Sequence, residues 1–114
     1  KPLPEPIKLL DPPQVGDNQA RAPGQLLIDW SADEQAVQYR SRVSLDEKFT
    51  QIVHDQTSTE ARIKLNDLAP GAYHISVRSI DRNLLEGLET QRQVQVKQTL
   101  DSWEISIPSI LLLL

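Results

Sequence analysis

The sequence contains no cysteine and no methionine, only five aromatic residues, and no long uninterrupted apolar run. Without cysteine the chain can form neither a disulfide framework nor a thiolate site. Its formal net charge is −4 and its basic residues are scattered, so it lacks the basic patch with which proteins bind nucleic acid. The most apolar stretch, residues 105–114, is interrupted by proline and serine and is too short to cross a bilayer.

Only two histidines are present, His54 and His74, so a catalytic site or zinc site that needs histidine would have to use one or both of them. A hydrolase needs a nucleophile beside a positioned base, and the pattern around both histidines offers few convergent polar partners. We interpret them as solvated residues of a sheet. Two histidines without cysteine, and without a carboxylate at ligand spacing, also make a poor zinc site. The sequence therefore predicts no catalytic residue, no cofactor and no enzyme activity.

Two acidic pairs are candidates for calcium ligands, because sandwich domains sometimes hold calcium between the loops at their strand ends. The pairs are Asp46 with Glu47 and Asp81 with Glu86. Neither resembles the dense set of oxygen ligands that calcium takes. Aspartates in turns commonly accept hydrogen bonds from their own backbone, and we interpret these residues in that way. The sequence predicts no metal site.

The clearest structural signal is the alternation of apolar and polar residues from Tyr73 to Ile80, which predicts a strand with one buried face over Ala72–Ile80. Pro70 sets φ for a turn before this strand, and Gly71 can adopt the positive φ that such a corner needs. A second positive φ is expected at Gly87. A tyrosine directly after the turn is typical of a tyrosine corner in a β-sandwich.

Similar alternation predicts six further short strands separated by turn signals, and no helical period competes with them. These strands are Ile7–Leu10, Gln25–Ser31, Ala36–Leu45, Gln51–Asp55, Ala61–Leu65 and Thr90–Gln98. The predicted fold is all-β, a seven-stranded antiparallel two-sheet sandwich of the immunoglobulin type. We expect Trp30 to be its most buried aromatic residue, with Tyr39, Tyr73 and Phe49 also in the core.

The chain divides into three parts by composition. Residues 1–5 are proline-rich and predict a linker, and residues 6–98 form the sandwich. Residues 99–114 are an apolar extension or the start of a further module. Within this tail the residues predicted to contact a partner are Trp103, Ile105, Ile107, Ile110 and Leu111. They either fold back on the sandwich or pair with another chain by strand addition, and both alternatives stay open.

Several of these residues together resemble a fibronectin type III domain. The resemblance rests on Trp30, Tyr39, Val43, Val77 and the run Leu68-Ala69-Pro70-Gly71-Ala72-Tyr73. A narrower resemblance is to the sandwich modules of bacterial envelope proteins that also carry FecR-type or peptidoglycan-binding LysM domains. It rests on Tyr39-Arg40, Asp46 with Phe49, Ile80-Asp81 and Leu85-Glu86-Gly87.

The resemblance implies a non-catalytic structural or protein-binding module of a larger bacterial protein, located in the periplasm or cell envelope. Its partners would be neighbouring domains of the parent protein, another protein chain, or a second copy joined by edge-strand pairing. The alternative is a carbohydrate- or peptidoglycan-binding module. Such a module usually presents a platform of exposed aromatic rings, and Trp103 is the one aromatic residue here that is not assigned to the core.

Overall fold

The computed structural model describes residues 8–98, which form six β-strands and no helix. The strands are β1 (Leu26–Asp29), β2 (Ala36–Ser44), β3 (Ile52–Ser58), β4 (Arg62–Leu65), β5 (Gly71–Asp81) and β6 (Thr90–Val96). Within these residues no helix is present that could span a membrane. The predicted all-β class is confirmed.

The strands form two antiparallel sheets, as predicted for a sandwich. One sheet pairs β1 with β4, and the other has the order β3-β2-β5-β6. β5 is the longest strand, with 11 residues, and lies between β2 and β6. Its register places Ser41 opposite Val77 and Tyr73 opposite Val94, so alternate residues of three neighbouring strands face the same side.

The hydrophobic core lies between the two sheets and is built from these inward-facing positions. Leu26 and Ile28 of β1 are fully buried, and so are Val43, Ile75 and Val77 from the larger sheet. Burying side chains of this size contributes roughly 1.5–3 kcal/mol each relative to leaving them in water. The period-two pattern in the sequence therefore identifies the faces on which the two sheets meet.

The aromatic residues of the core differ from the prediction in one respect. Trp30 is 6% exposed, whereas Tyr39 is 5% and Tyr73 is 3% exposed, so the prediction that Trp30 is the most buried aromatic is wrong. Trp30 follows the last residue of β1, where it pairs with Val15 in an isolated bridge near the end of the sheet. Its indole packs edge-to-face on the Tyr39 ring, with centroids 5.9 Å apart.

The turn before β5 has the predicted geometry. Gly71 has φ of +136°, as expected, and the Tyr73 hydroxyl donates a hydrogen bond of 2.6 Å to the Ala69 carbonyl. Gly87, by contrast, does not have positive φ. Glycine is needed there because a Cβ would lie 2.8 Å from the Leu10 carbonyl oxygen, and the positive φ of this loop is at Leu84, at +64°.

The predicted first strand is not seen in the described residues, which gives six strands rather than seven. Residues 8–10 of the predicted strand Ile7–Leu10 are not in a strand, and residue 7 lies outside the described range. Residues 14–19 instead run beside β1, with Gly16 N bonded to Asp29 O and Gln19 N to Leu27 O. A continuous ladder does not form immediately upstream, because prolines 12 and 13 have no N–H to donate.

Candidate functional site

The tail residues predicted to contact a partner are not part of the described structure. Trp103, Ile105, Ile107, Ile110 and Leu111 all lie in residues 99–114, outside the described range 8–98. Their role stays a prediction. The polar cluster with the most charge-pair contacts among the described residues lies elsewhere, on the outer face of the four-stranded sheet.

Three arginines converge on this outer face, and we call the surface made by Arg40, Arg42 and Arg78 the arginine face. Arg40 and Arg42 alternate along β2 with the buried residues that face the core. Arg78 lies on β5 directly opposite Arg40. The alternation that buries the other side of β2 therefore places guanidinium groups of neighbouring strands side by side in partial contact with water.

Three carboxylates neutralise the arginine face, and two of them come from residues 82–89, the loop that joins β5 to β6. Asp55 on β3 accepts two hydrogen bonds from Arg40, of 3.1 and 2.9 Å. Glu86 accepts a hydrogen bond of 3.2 Å from Nη1 of Arg40 and lies 3.8 Å from Nε of Arg78. The shared carboxylates raise the pKa of Arg40 above its usual value, first through the hydrogen bonds to Asp55.

Glu89 is the most enclosed of these carboxylates. It accepts hydrogen bonds from Nη2 of Arg42, at 3.1 Å, from the Ser76 hydroxyl and from the Gln91 amide, and it lies 3.7 Å from Nη2 of Arg78. Partial burial acts to raise its pKa, but the Ser76 hydrogen bond and the charge of Arg78 outweigh burial and lower the pKa overall. Glu89 is therefore held as an anion between two guanidinium groups.

Phe49 lies beside this cluster and was expected in the core. The structure shows it half-buried, with the guanidinium carbon of Arg42 4.9 Å from its ring centroid. This is a cation–π contact. Phe49 also has φ of +56°, because it belongs to the tight turn between β2 and β3. That turn directs its ring to the outer face of the sheet rather than between the sheets.

Asp46 and Asp81 stabilise turns, as interpreted from the sequence. Asp46 accepts hydrogen bonds from the N–H and hydroxyl of Thr50, the N–H of Gln51 and the hydroxyl of Ser44. These bonds, led by the Thr50 hydroxyl, lower the pKa of Asp46 strongly. Asp81 accepts from the N–H groups of residues 83 and 85. Within residues 8–98 no three acidic, histidine or cysteine side chains are placed to share a metal ion.

The two histidines have different environments. His74 is half-buried on the same outward side of β5 as Arg78. His54 is also half-buried, but it sits opposite Val43, and its Nε2 lies 3.4 Å from the Ser41 hydroxyl on the inner side of the sheet edge. Burial lowers the pKa of His54. A cleft of about 440 Å³ opens between residues 11–14 and 31–34, and neither histidine lines it.

Exposed aromatic rings are not found among the described residues. Trp30, Tyr39 and Tyr73 are buried, and Phe49 is covered on one side by Arg42. The aromatic platform on which a carbohydrate-binding role would depend is therefore absent from residues 8–98. Trp103 lies outside this range.

The alternation predicted over Ala36–Leu45 puts Arg40 and Arg42 on the same side of a strand, but it does not identify their partners. Glu86 and Glu89 lie more than forty positions further along the chain, as the separations of 46 and 47 residues show. The only signal is chemical, two outward arginines at strand spacing and two glutamates just before the last strand. These residues can be recognised as one site only when the register of β2 against β5 is known.

Comparisons with known proteins agree on the fold. The sequence matches no protein-family model and no curated protein. Among solved structures, the chain is similar to an Fn3-like protein from Clostridium thermocellum, with TM-score 0.60 and 17% identity over 75% of this chain and 92% of that one. It is also similar to the fibronectin(III)-like modules of CbhA from the same organism, with TM-score 0.50 and 17% identity over 82% and 98% of the two chains. At this identity the likeness shows a fibronectin type III-like fold.

Proposed function

We propose that this chain is a non-catalytic structural module of a larger bacterial envelope protein, and that it holds the segments before and after it at opposite ends of a rigid sandwich. The observation that carries the proposal is the position of the two ends of the described chain. Leu10 O accepts a hydrogen bond of 2.9 Å from Leu88 N, beside the β5–β6 loop. Lys97 O accepts one from Gly24 N, 3.3 Å away, beside the start of β5.

These two attachment points are separated by the length of β6. Its seven residues, Thr90–Val96, span about 20 Å in an extended strand. β6 is paired with β5 along its length. The opposite edge of β6 is covered by the segment that begins at Pro13, and the Thr90 hydroxyl donates a hydrogen bond to the Pro13 carbonyl. Both attachment points therefore belong to the packed body of the sandwich, which supports a fixed spacing.

The spacing can be measured with spin labels, because the chain has no native cysteine. In the pair Lys8→Cys and Gln98→Cys the labels sit at the two ends, and in the control pair Lys8→Cys and Gln35→Cys they sit at the same end. Electron-spin distance measurements should give one narrow peak for the first pair, at a longer distance than for the control. A broad distribution for the first pair beside a narrow control would contradict the rigid-spacer role.

The tail is the proposed contact with a partner, either a neighbouring domain or a second copy. The five tail residues that are predicted to contact a partner are apolar and would need cover from water. Edge-strand pairing is favoured by the outer position of β3 in the larger sheet, where Ile52 and Val53 are 42% and 46% exposed. An open edge of this kind can accept an added strand.

Location in the periplasm or cell envelope is part of the same proposal, and its support is the resemblance of the sequence to envelope modules. The test is fractionation of cells that express the parent protein with an epitope tag. Recovery of the tag with the soluble cytoplasmic fraction alone would contradict this location.

A further inference from the structure

The neighbouring strand β3 supplies one carboxylate to the arginine face, Asp55, which lies opposite Arg42 and accepts hydrogen bonds from Arg40. The cross-strand neighbours of Arg40 are Thr57 on one side and Arg78 on the other. Two guanidinium groups thus lie directly opposite each other on β2 and β5. Like charges in this relation destabilise a sheet, and a neutral polar residue at either position would avoid the cost. The face carries more positive charge than its role in the sheet requires.

The β5–β6 loop supplies the missing negative charge. Of the three paired carboxylates only Asp55 belongs to a strand of the sheet, whereas Glu86 and Glu89 belong to residues 82–89. Without the loop, three positive charges would face one negative charge, which leaves an excess of two. The loop therefore covers a cationic surface built on the two inner strands of the sheet.

The two sides of this contact differ in rigidity. The arginines belong to β2 and β5, the two inner strands of the sheet, and each of these strands is hydrogen-bonded to a neighbouring strand on both sides. The loop lies outside the strand ladder and is held by separate bonds, among them Gly87 N to Ser79 O at 2.7 Å and Leu88 N to Leu10 O at 2.9 Å. At its tip Leu84 is 70% exposed and has φ of +64°, a left-handed conformation that costs energy in a residue other than glycine. The arginines are therefore fixed by the sheet itself, whereas the two loop carboxylates are added from outside its strands.

We propose that the arginine face is a binding site for an acidic peptide segment of a partner protein, and that Glu86 and Glu89 occupy it as the chain's own competing ligand. Guanidinium groups bind carboxylates through paired, charge-assisted hydrogen bonds, as Arg40 does with Asp55. The Ser76 hydroxyl adds a donor beside Arg42. The site goes beyond the spacer role, since a sandwich can hold its neighbours apart without it.

The site can be tested with the loop itself as the probe. The protein variant Glu86→Gln with Glu89→Gln, which we call the uncovered variant, removes the two loop charges from the arginine face. A labelled synthetic peptide with the sequence of residues 83–91 supplies both carboxylates in trans. We expect this variant to bind the peptide at least tenfold more tightly than the unchanged protein. Its affinity should fall as salt is raised, because salt screens exposed charges. A peptide with glutamine in place of both glutamates should not bind.

Two matched proteins make the result specific. Glu47→Gln with Glu60→Gln changes the net charge equally at exposed positions outside the cluster, and should bind no better than the unchanged protein. Adding Arg78→Gln to the uncovered variant should abolish its gain. Equal gains in both double variants, or no gain in the folded uncovered variant, would overturn the site.

If the uncovered variant fails to fold, Glu86→Gln alone replaces it. Glu86 is the more exposed of the two, with its side chain 40% accessible against 20% for Glu89, so its loss disturbs the fold less. A gain in the same direction supports the site, and no gain overturns it. The spin-label distances are independent of either outcome, so failure of the site leaves the spacer role standing and the reverse is also true.

Discussion

Trp30 joins the two sheets at one end of the core, and its loss should be severe. Trp30→Ala removes the ring that packs edge-to-face on Tyr39 and leaves a cavity. Large-to-small changes of this kind cost about 3–5 kcal/mol of unfolding free energy. Urea melts measure the change, and Phe49→Ala is the control, because that ring is half-buried on the outer face. A change below about 1 kcal/mol for Trp30→Ala would remove it from the core.

The Tyr73 hydroxyl fastens the start of β5 to the turn before it. Tyr73→Phe keeps the ring and deletes the hydrogen bond to the Ala69 carbonyl, which should lower the unfolding free energy by about 1 kcal/mol. The measurement is again a urea melt. Tyr39→Phe is a matched comparison, since that hydroxyl instead accepts a hydrogen bond from Asp33 N. An unchanged midpoint for Tyr73→Phe would mean that water replaces the bond without cost.

At the scale of elements, the turn between β2 and β3 depends on one side chain. Asp46→Ala should speed hydrogen exchange of the Thr50 and Gln51 amides, because the carboxylate accepts from both N–H groups. Exchange elsewhere, for example at Val77 in the middle of β5, should be unaffected. Glu47→Ala is the neighbouring control. Unchanged exchange at both turn amides would show that the turn forms without the carboxylate.

The elements that the sequence predicts well are those with one buried face. β2 and β6 begin at the predicted residues, Ala36 and Thr90, and buried residues alternate with more exposed ones from Tyr39 to Val43 in β2 and from Val94 to Val96 in β6. β3 was predicted to end at Asp55 but continues to Ser58, since most of its side chains are exposed and no alternation marks its end. Burial produces the readable pattern, and an edge strand lacks it.

The charge cluster could not be predicted for a related reason. The pairing of Arg42 with Glu89 depends on the β2–β5 register and on how the β5–β6 loop turns back, and neither is a local property of the sequence. A signal that is local in the sequence was available only for Asp46 and Asp81, whose hydrogen-bond partners lie within five residues of them. Local turn chemistry is therefore predictable, whereas a site assembled from three strands and a loop is not.

Across the whole molecule, the charge pairs predict loss of stability in acid. The pKa values of Asp29, Asp55 and Glu89 are all lowered in the folded protein, the first two mainly by hydrogen bonds from arginine. Such groups stabilise the fold fully above their unfolded pKa, near 4, and this contribution is lost as pH falls through the lower folded values. The part of the urea midpoint that these carboxylates provide should therefore decline from about pH 4 downwards. A midpoint that is constant down to pH 2 would contradict these shifts.

The prediction for the tail, residues 99–114, concerns the oligomeric state of the whole molecule. We expect the full chain to sediment as a dimer and a version ending at Gln98 to sediment as a monomer, because the apolar tail would be covered by a second copy. Both are compared at the same high micromolar concentration. If both are monomers and melt alike, the tail is neither an interface nor part of the core.

The opposite positions of the two ends of the described residues, 8 and 98, also determine how the sandwich responds to tension. A pulling force applied there runs along the strands. It loads the bonds between residues 14–19 and β1, and those of the β5–β6 ladder from Gly71–Val96 to Val77–Thr90. Antiparallel hydrogen bonds lie perpendicular to the strands, so this force shears many of them together instead of unzipping them in turn. The module should therefore resist extension up to a high force and then unfold in one cooperative step, rather than lengthen gradually.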